Sequence, residues 1–328
     1  MTRFSPREAG SAVSAFADAA LDRMVAPGYS RLGYALRARR WGDEDPVDQA
    51  LTGAVVAVTG TNSGIGKAAS AQLAGFGAEV VMLVRDVEKG AAARADILRA
   101  NPGARIRIER CDISDLDDVR STGRRLGETL PKLDALVHNA GVLPDVRRQS
   151  AQGHEITMAT HVLGPILLTE ELLPALARSA RPRVVFVCSG GMYTQSLHVE
   201  DLEYRSGTYR GATAYARSKR MQVALLPALA ARWAEANVTV AAMHPGWVET
   251  PGVAASLPGF HRVAGAVLRS PDQGADTITW LAATAHDLPN ARFWHDRKTR
   301  PEHYLPRTRN SAAEVDVLRQ FVERALQG

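Results

Sequence analysis

Cysteine is scarce in this chain of 328 residues: there are two, Cys111 and Cys188. Two cannot build a disulfide framework, which points to a reducing compartment and to the cytoplasm as the default address. Aromatic residues make up 6%, and five of the 40 basic residues are Lys (67, 89, 132, 219 and 298). The basic side is thus a compositional preference for Arg alongside abundant Ala, and the formal charge of +5 says little about partners. There is no long run of like charge and no basic patch interleaved with aromatics, so nucleic-acid binding is not expected. No stretch approaches the ~20 apolar residues that a transmembrane helix needs. The first twenty residues carry Arg3, Arg7, Glu8 and Asp18 and lack the apolar core of a signal peptide. The nine His residues include no His-x3-His or His-Glu-x2-His spacing, so no metal site is expected. A Gly-x-Ser-x-Gly elbow is missing too, which argues against a Ser-His-Asp hydrolase.

What remains, 45% hydrophobic and 23% charged, is the make-up of a folded α/β protein. From Leu51 the chain alternates apolar runs (54–59, 79–84, 105–109, 135–138, 183–188 and 238–243) with Ala-rich helical stretches. That alternation predicts a doubly wound, Rossmann-type parallel sheet with helices on both faces. Continuous Val-rich runs suit strands buried on both sides. Residues 1–50 read as a helical extension, 51–309 as the α/β domain and 310–328 as a C-terminal helix. In the extension, Phe4, Val13, Phe16, Ala20, Leu21 and Met24 form an apolar stripe before Pro27-Gly28. That stripe either packs on the protein or a partner subunit, covers an apolar substrate, or lies peripherally on a membrane. Its Ala content and mixed flanking charges count against the membrane.

The first strand runs into Gly60-Thr61-Asn62-Ser63-Gly64-Ile65-Gly66 and then a helix. Gly60 suits the tight turn, Gly64 a close backbone approach to a pyrophosphate, and Gly66 close packing of helix on strand. The helix N-terminus would offer its N–H groups to the phosphates. Tyr215 and Lys219 lie four apart, on one face of a helix over 212–236. A neighbouring ammonium is expected to lower the phenol pKa from its ordinary ~10.

Five pieces occur in order: Thr59–Gly66, Asp112, Asn139-Ala140-Gly141, Tyr215-x3-Lys219 and Pro245-Gly246. Together they resemble the short-chain dehydrogenase/reductase family over about residues 51–250. The resemblance implies hydride transfer between a nicotinamide cofactor and a carbonyl/alcohol pair, with reduction of a bulky hydrophobic ketone or aldehyde as the expected direction, the alternative being an impaired NADPH-binding or partner-docking protein on the same scaffold. It implies Tyr215 as the proton donor or acceptor, Lys219 as its tuner and ribose ligand, and Ser189 as the group orienting the substrate oxygen. Asp112 would contact the adenine, or else cap the following helix at Ser114 or Asp115. Asn139, Ala140 and Gly141 would shape the floor beneath the cofactor, and Pro245, Gly246, Val248 and Thr250 would cradle the nicotinamide side. Val84 stands where an NAD enzyme carries its ribose-binding acid, and Arg85 follows. Arg85 therefore predicts NADPH/NADP+ over NADH through the 2′-phosphate, the alternative being a solvated Arg or one paired with Asp86.

His161 stands where the family has an Asn that helps hold a helix-kink carbonyl and a relay water. An imidazole either holds that water, carries protons itself, or breaks the relay and leaves an impaired cofactor binder. The twenty-six residues from Ser189 to Tyr215 resemble the retinol-dehydrogenase-like branch, with Met192, Tyr193 and Leu197 lining a pocket or packing the loop. Ser189–Met192, His244–Trp247 and Phe293–Lys298 resemble the dehydrogenase/reductase member 12-like branch and its bacterial relatives. An apolar lid is expected over 247–275, with Leu257, Phe260, Val263, Val267 and Leu268. By the same resemblance, helices at 154–180 and 212–236 would pair in a homodimer unless the extension blocks it.

Overall fold

The computed structural model describes residues 18–42, 45–250, 259, 262 and 264–327. The six apolar runs form β1 (Val55–Thr59), β2 (Glu79–Val84), β3 (Arg105–Arg110), β4 (Ala135–His138), β5 (Arg183–Val187) and β6 (Thr239–Met243). Each agrees with the sequence expectation to within one residue at either end. Two further strands, β7 (Arg292–His295) and β8 (Lys298–Thr299), were not anticipated. The order across the sheet is β3-β2-β1-β4-β5-β6-β7-β8, parallel except for β8.

The described helices are α1 (Val25–Tyr29), α2 (Arg31–Ala38), α3 (Gly64–Gly75), α4 (Val87–Ala100), α5 (Leu116–Thr129), α6 (Ile156–Leu176), α7 (Gly211–Arg232), α8 (Pro271–Ala283) and α9 (Ala312–Gln327). Alternate strand residues serve two cores. Val55 and Ala57 pack with α5, α6, α7 and α9, while Val56 and Val58 pack with α3, α4 and α8. A Val or Leu taken fully out of water contributes ~1.5–3 kcal/mol, so burial on both faces is what selects this layered arrangement. Among the described residues α6 is, by length and composition, able to cross a bilayer, contrary to the expectation that no stretch is. Its apolar surface is instead buried in the fold. Leu318, Val322 and Leu326 of α9 join the core cluster that holds α6 and α7, the two helices expected to pair across a dimer.

The described part of the extension, from residue 18, packs on the protein itself. Arg37 of α2 is buried and donates to the Gly28 carbonyl and Asp296 at 2.7 Å and to Asp18 at 2.8 Å. Arg300 adds Asp18 at 2.8 Å, so α1 and α2 are fastened to the segment after β7 by charge. Of the expected stripe, Phe4, Val13 and Phe16 lie outside the described residues; Leu21 is half-buried and Met24 exposed.

Candidate active site

The carboxyl ends of β1, β4, β5 and β6 converge, as the parallel register requires. Gly60 turns the chain out of β1 at φ +69°, and a Cβ there would sit 2.7 Å from Ala140 Cα. A Cβ on Gly66 would meet the Gly60 carbonyl oxygen at 2.3 Å and Asn139 Nδ2 at 2.4 Å. Asn139 Nδ2 donates to the Thr59 and Gly60 carbonyls at 3.0 and 3.1 Å. The backbone N–H groups of Asn139 and Ala140 both reach Thr59 Oγ1 at 2.9 Å. Asn139-Ala140 thus ties the ends of β1 and β4 together. Gly64 also has a positive φ, +55°, and a Cβ on it would meet the Thr250 methyl at 3.2 Å. Ile65 and Val248 meet across Gly274.

This loop is left incomplete in a particular way. Asp86, Asp115 and Ser270 cap α4, α5 and α8 with side-chain bonds, but Ser63 at the start of α3 makes none. The Thr61 hydroxyl and Asn62 Oδ1 are buried without a hydrogen-bond partner. Uncapped N–H groups beside unsatisfied polar atoms are what a phosphate-bearing ligand would complete, so these residues fit a dinucleotide.

At the end of β2, Arg85 is largely exposed and its Nε lies 4.0 Å from Asp112. Asp86 does not engage Arg85; it caps α4 and pairs with Lys89 at 3.1 Å. Asp112 accepts from the Ser114 N–H and hydroxyl at 2.9 and 2.7 Å, while α5 itself is capped by Asp115. Asp112 thus closes a local turn at Ser114 and does not cap α5, which corrects the capping alternative foreseen for it.

Tyr215 and Lys219 sit one turn apart on α7, Lys219 Nζ 5.6 Å from the Tyr215 ring centroid. The Lys219 ammonium donates to the Val187 carbonyl at 2.8 Å. Ser189 lies near enough to the Tyr215 phenol to act on its proton affinity, and Ser189 Oγ accepts from the Gly191 N–H at 3.1 Å. The expected depression of the phenol pKa is not what the structure gives. Burial pushes Tyr215 up to about 12, the Cys188 thiol adds to this, and Ser189 offsets part of it. Burial also pulls Lys219 down to about 8. Desolvation dominates both groups, and the phenol is protonated at neutral pH, the form that donates.

His161 lies in a π-helical turn, Ala159–Leu163, fully buried. Its Nε2 accepts from the Val142 N–H at 2.9 Å, so the ring proton sits on Nδ1, 2.7 Å from Ser218 Oγ. Ser218 in turn donates to the Tyr215 carbonyl at 2.8 Å. Burial, then Lys219, holds the imidazole pKa well below its usual value. Both nitrogens are engaged and the ring is neutral, so the expectations that His161 holds a relay water by its ring or carries protons are corrected. It braces the strand-end loop against α7, its ring edge-on to Tyr215 at 5.3 Å.

The segment after β6 is held by a residue that sequence reasoning passed over. Arg269, buried, donates through Nε to the Tyr29 carbonyl at 2.9 Å and through Nη1 to the Pro245 carbonyl at 3.1 Å and Asp296 at 2.6 Å. The Trp247 N–H also donates to the Tyr29 carbonyl, at 2.8 Å. Gly246 has φ +79°, and a Cβ there would lie 2.5 Å from the Arg269 guanidinium. The extension thus builds the rim on the side of Pro245–Val248. Met192, Tyr193 and Leu197 are buried as loop packing; Tyr193 stacks on Tyr304 at 4.2 Å and donates to the Pro301 carbonyl at 2.7 Å. Of the expected lid, Leu257, Phe260 and Val263 lie outside the described residues, Val267 is exposed and Leu268 buried. Among the described residues no group of His, Cys, Asp or Glu is arranged to hold a metal ion.

Comparison with known proteins agrees with this geometry. Residues 54–258 match the family model described as short chain dehydrogenase. Dehydrogenase/reductase SDR family member 12 of Bos taurus is 38% identical over 90% of this chain and 93% of its own length. Retinol dehydrogenase 13 of Mus musculus is 32% identical over 76% of this chain and 77% of its own. A crystal structure from Escherichia coli CFT073, complexed with NADPH, is 25% identical with a TM-score of 0.60, covering 79% of this chain and 98% of that one.

Proposed function

The chain belongs to the short-chain dehydrogenase/reductase family, and on that premise we propose that it is an NADP(H)-dependent oxidoreductase acting on a carbonyl/alcohol pair, reducing a bulky hydrophobic ketone or aldehyde. The observation that carries this reading is Tyr215 one turn from Lys219, with Ser189 acting on its phenol, together with an uncapped glycine loop that holds two unsatisfied polar atoms. The dinucleotide, when bound, supplies the hydride. Gly60–Gly66 and the N-terminus of α3 hold its phosphates, with Asn139-Ala140-Gly141 below and Pro245–Thr250 on the nicotinamide side. Ser189 hydrogen-bonds the substrate oxygen, and the neutral Tyr215 phenol delivers the proton to that oxygen as it gains charge. Lys219, charged below about pH 8, stabilises the phenolate left behind.

The preference for NADPH rests on Arg85, whose exposed guanidinium has Asp112 as its near acid, while Val84 is buried where a ribose-binding carboxylate would stand. The NADPH complex of the Escherichia coli neighbour supports it. An apolar substrate agrees with the name of the retinol dehydrogenase relative. We keep the cytoplasm as the location. A homodimer through α6 and α7 would have to accommodate α9 on the same face.

A second reading, cofactor binding without turnover, is favoured by one observation. Both ring nitrogens of His161 are engaged and its carbonyl accepts from Gln222 Nε2 at 2.6 Å, so the residue at the family's Asn position is already committed to protein partners rather than to a relay water. The experiment is NADPH consumption against a panel of bulky ketones and aldehydes, with Tyr215→Phe alongside. Turnover that disappears in the variant, with NADPH affinity kept, supports the reductase. NADPH binding with no turnover across the panel supports the second reading, and activity that survives Tyr215→Phe removes the assignment of the acid. For the cofactor, Arg85→Ala is expected to weaken NADPH far more than NADH, and equal losses end that argument.

A further inference from the structure

The outward side of the extension has a composition unlike the rest of the surface. Of the ten large hydrophobic side chains exposed among the described residues, five fall in the stretch 24–47: Met24, Val25, Leu32, Leu36 and Val47. Leu32 and Leu36 are 57% and 42% exposed and lie one turn apart on α2. Arg31 at the start of α2, Arg39 at its end and Arg23 next to Met24 are exposed as well. Both acids of the described residues 18–42 point the other way. Asp18 is bound by Arg37, Arg300 and Lys298 at 2.8, 2.8 and 3.0 Å, and Asp22 is buried with Arg37, Arg300 and Tyr304. The mixed charge that the sequence shows is thereby sorted by folding: Asp18, Asp22 and Arg37 face inward, Arg23, Arg31, Arg39 and the aliphatic chains outward. Asp43 and Glu44, next along the chain, lie outside the described residues.

We propose that the outward side of α1 and α2, with Met24, Val25, Leu32 and Leu36 and the exposed Arg23, Arg31 and Arg39, is a docking surface for a bilayer containing anionic phospholipid. An aliphatic patch enters the boundary between headgroups and acyl chains, and arginines around it meet the lipid phosphates. Nucleic acid would use the arginines but gains nothing from exposed Leu, Met and Val, and the patch presents no aromatic platform for bases. The platform is preformed, because its inner side is fastened through Arg37, Asp296 and the Tyr29 carbonyl to the rim of the candidate site. It is a face of the folded protein rather than an inserted helix, and the proposal stands whether or not the chain is a reductase.

The test is co-sedimentation of the full-length protein with vesicles of phosphatidylcholine alone and of phosphatidylcholine with phosphatidylglycerol. Protein should pellet with the anionic vesicles, stay in solution with the neutral ones, and be released by salt as the Debye length shortens. Arg31→Gln/Arg39→Gln should weaken partitioning by roughly 25-fold, about fivefold per Arg. Leu32→Ser/Leu36→Ser should weaken it independently of salt. Val146→Ser, at an exposed Val outside the patch, should leave it unchanged. Thermal melts of all three variants should match the parent, since the substituted side chains are exposed. No pelleting with either vesicle, equal pelleting with both, or double variants that bind like the parent would overturn the proposal. So would binding to an RNA homopolymer that outcompetes the vesicles at the same salt.

Discussion

Lys219→Met should make the cofactor-free protein more stable at neutral pH while destroying its proposed activity. Lys219 is 2% exposed, no carboxylate pairs with it among the described residues, and its pKa is pulled from 10.5 down to about 8. The unfolded chain therefore binds more protons than the folded one between about pH 8 and 10.5, and native stability rises with pH across that window. Below it, holding the charge inside costs ~3 kcal/mol, at 1.36 kcal/mol for each pKa unit. Methionine fills a similar volume without charge and adapts to the gap. It forfeits the bond to the Val187 carbonyl, which returns ~1 kcal/mol of that gain. The variant should thus lead by ~1–2 kcal/mol at pH 7 and lose the lead by about pH 10.5. Urea unfolding of both proteins at pH 7 and pH 10, followed by tryptophan fluorescence, reads the difference directly, and other titrating groups cancel in it. A variant no more stable than the parent at pH 7, or a difference that does not move with pH, refutes the reasoning.

Three further outcomes can be measured on the same footing. Gly66→Ala places a methyl against the Gly60 carbonyl at 2.3 Å and should cost ~1–3 kcal/mol in urea unfolding, with NADPH affinity down at least tenfold; an unchanged affinity would mean the loop is not the phosphate cradle. Arg269→Met strips the Tyr29 and Pro245 carbonyls of a donor and leaves Asp296 with Arg37 as its remaining close guanidinium; a loss of ~3 kcal/mol is expected, and a loss under about 1 kcal/mol would show that the rim does not depend on it. His161→Asn cannot reach Val142 and Ser218 together and should cost ~2 kcal/mol, yet leave the pH profile of kcat/KM between 5 and 8 unchanged in shape, because the imidazole is neutral throughout. An inflection that vanishes with the histidine would show that it titrates.

The parts of the fold written in local pattern were legible. Five of the strands, β1, β2, β4, β5 and β6, are largely runs of Val, Ala and Leu that both cores demand, while β3, Arg-Ile-Arg-Ile-Glu-Arg beside β2, is marked by its alternation instead. β7 reads Arg-Phe-Trp-His, four residues without a β-branched side chain, and it forms because Met243 and its neighbours offer an unpaired edge. No window of sequence contains that edge. The same division runs through the candidate site. Gly60, Gly66, Ser189, Tyr215 and Lys219 sit at strand ends or one helical turn apart, spacings that a single element fixes. Arg269 acts through carbonyls some 240 residues away in sequence, and nothing in its own neighbourhood distinguishes it from the other arginines.

Charge was the feature that sequence misread most, and for one physical reason. A titratable residue's effect depends on where its partner and its solvent are, and neither is a sequence property. Lys219 was expected to lower the Tyr215 pKa, but shared burial raises the tyrosine and lowers the lysine. His161 was read as a group able to move protons, but two hydrogen bonds fix its tautomer and desolvation keeps it neutral. The mixed charges flanking the apolar stripe of the extension counted against a membrane, but folding turns Asp18 and Asp22 inward onto Arg37 and Arg300 and leaves Arg23, Arg31 and Arg39 on the outer side. In each case formal charge was readable and effective charge was not. A predicted helix face should therefore be assigned its sign only after each acid on it has been asked whether an arginine elsewhere in the fold can reach it.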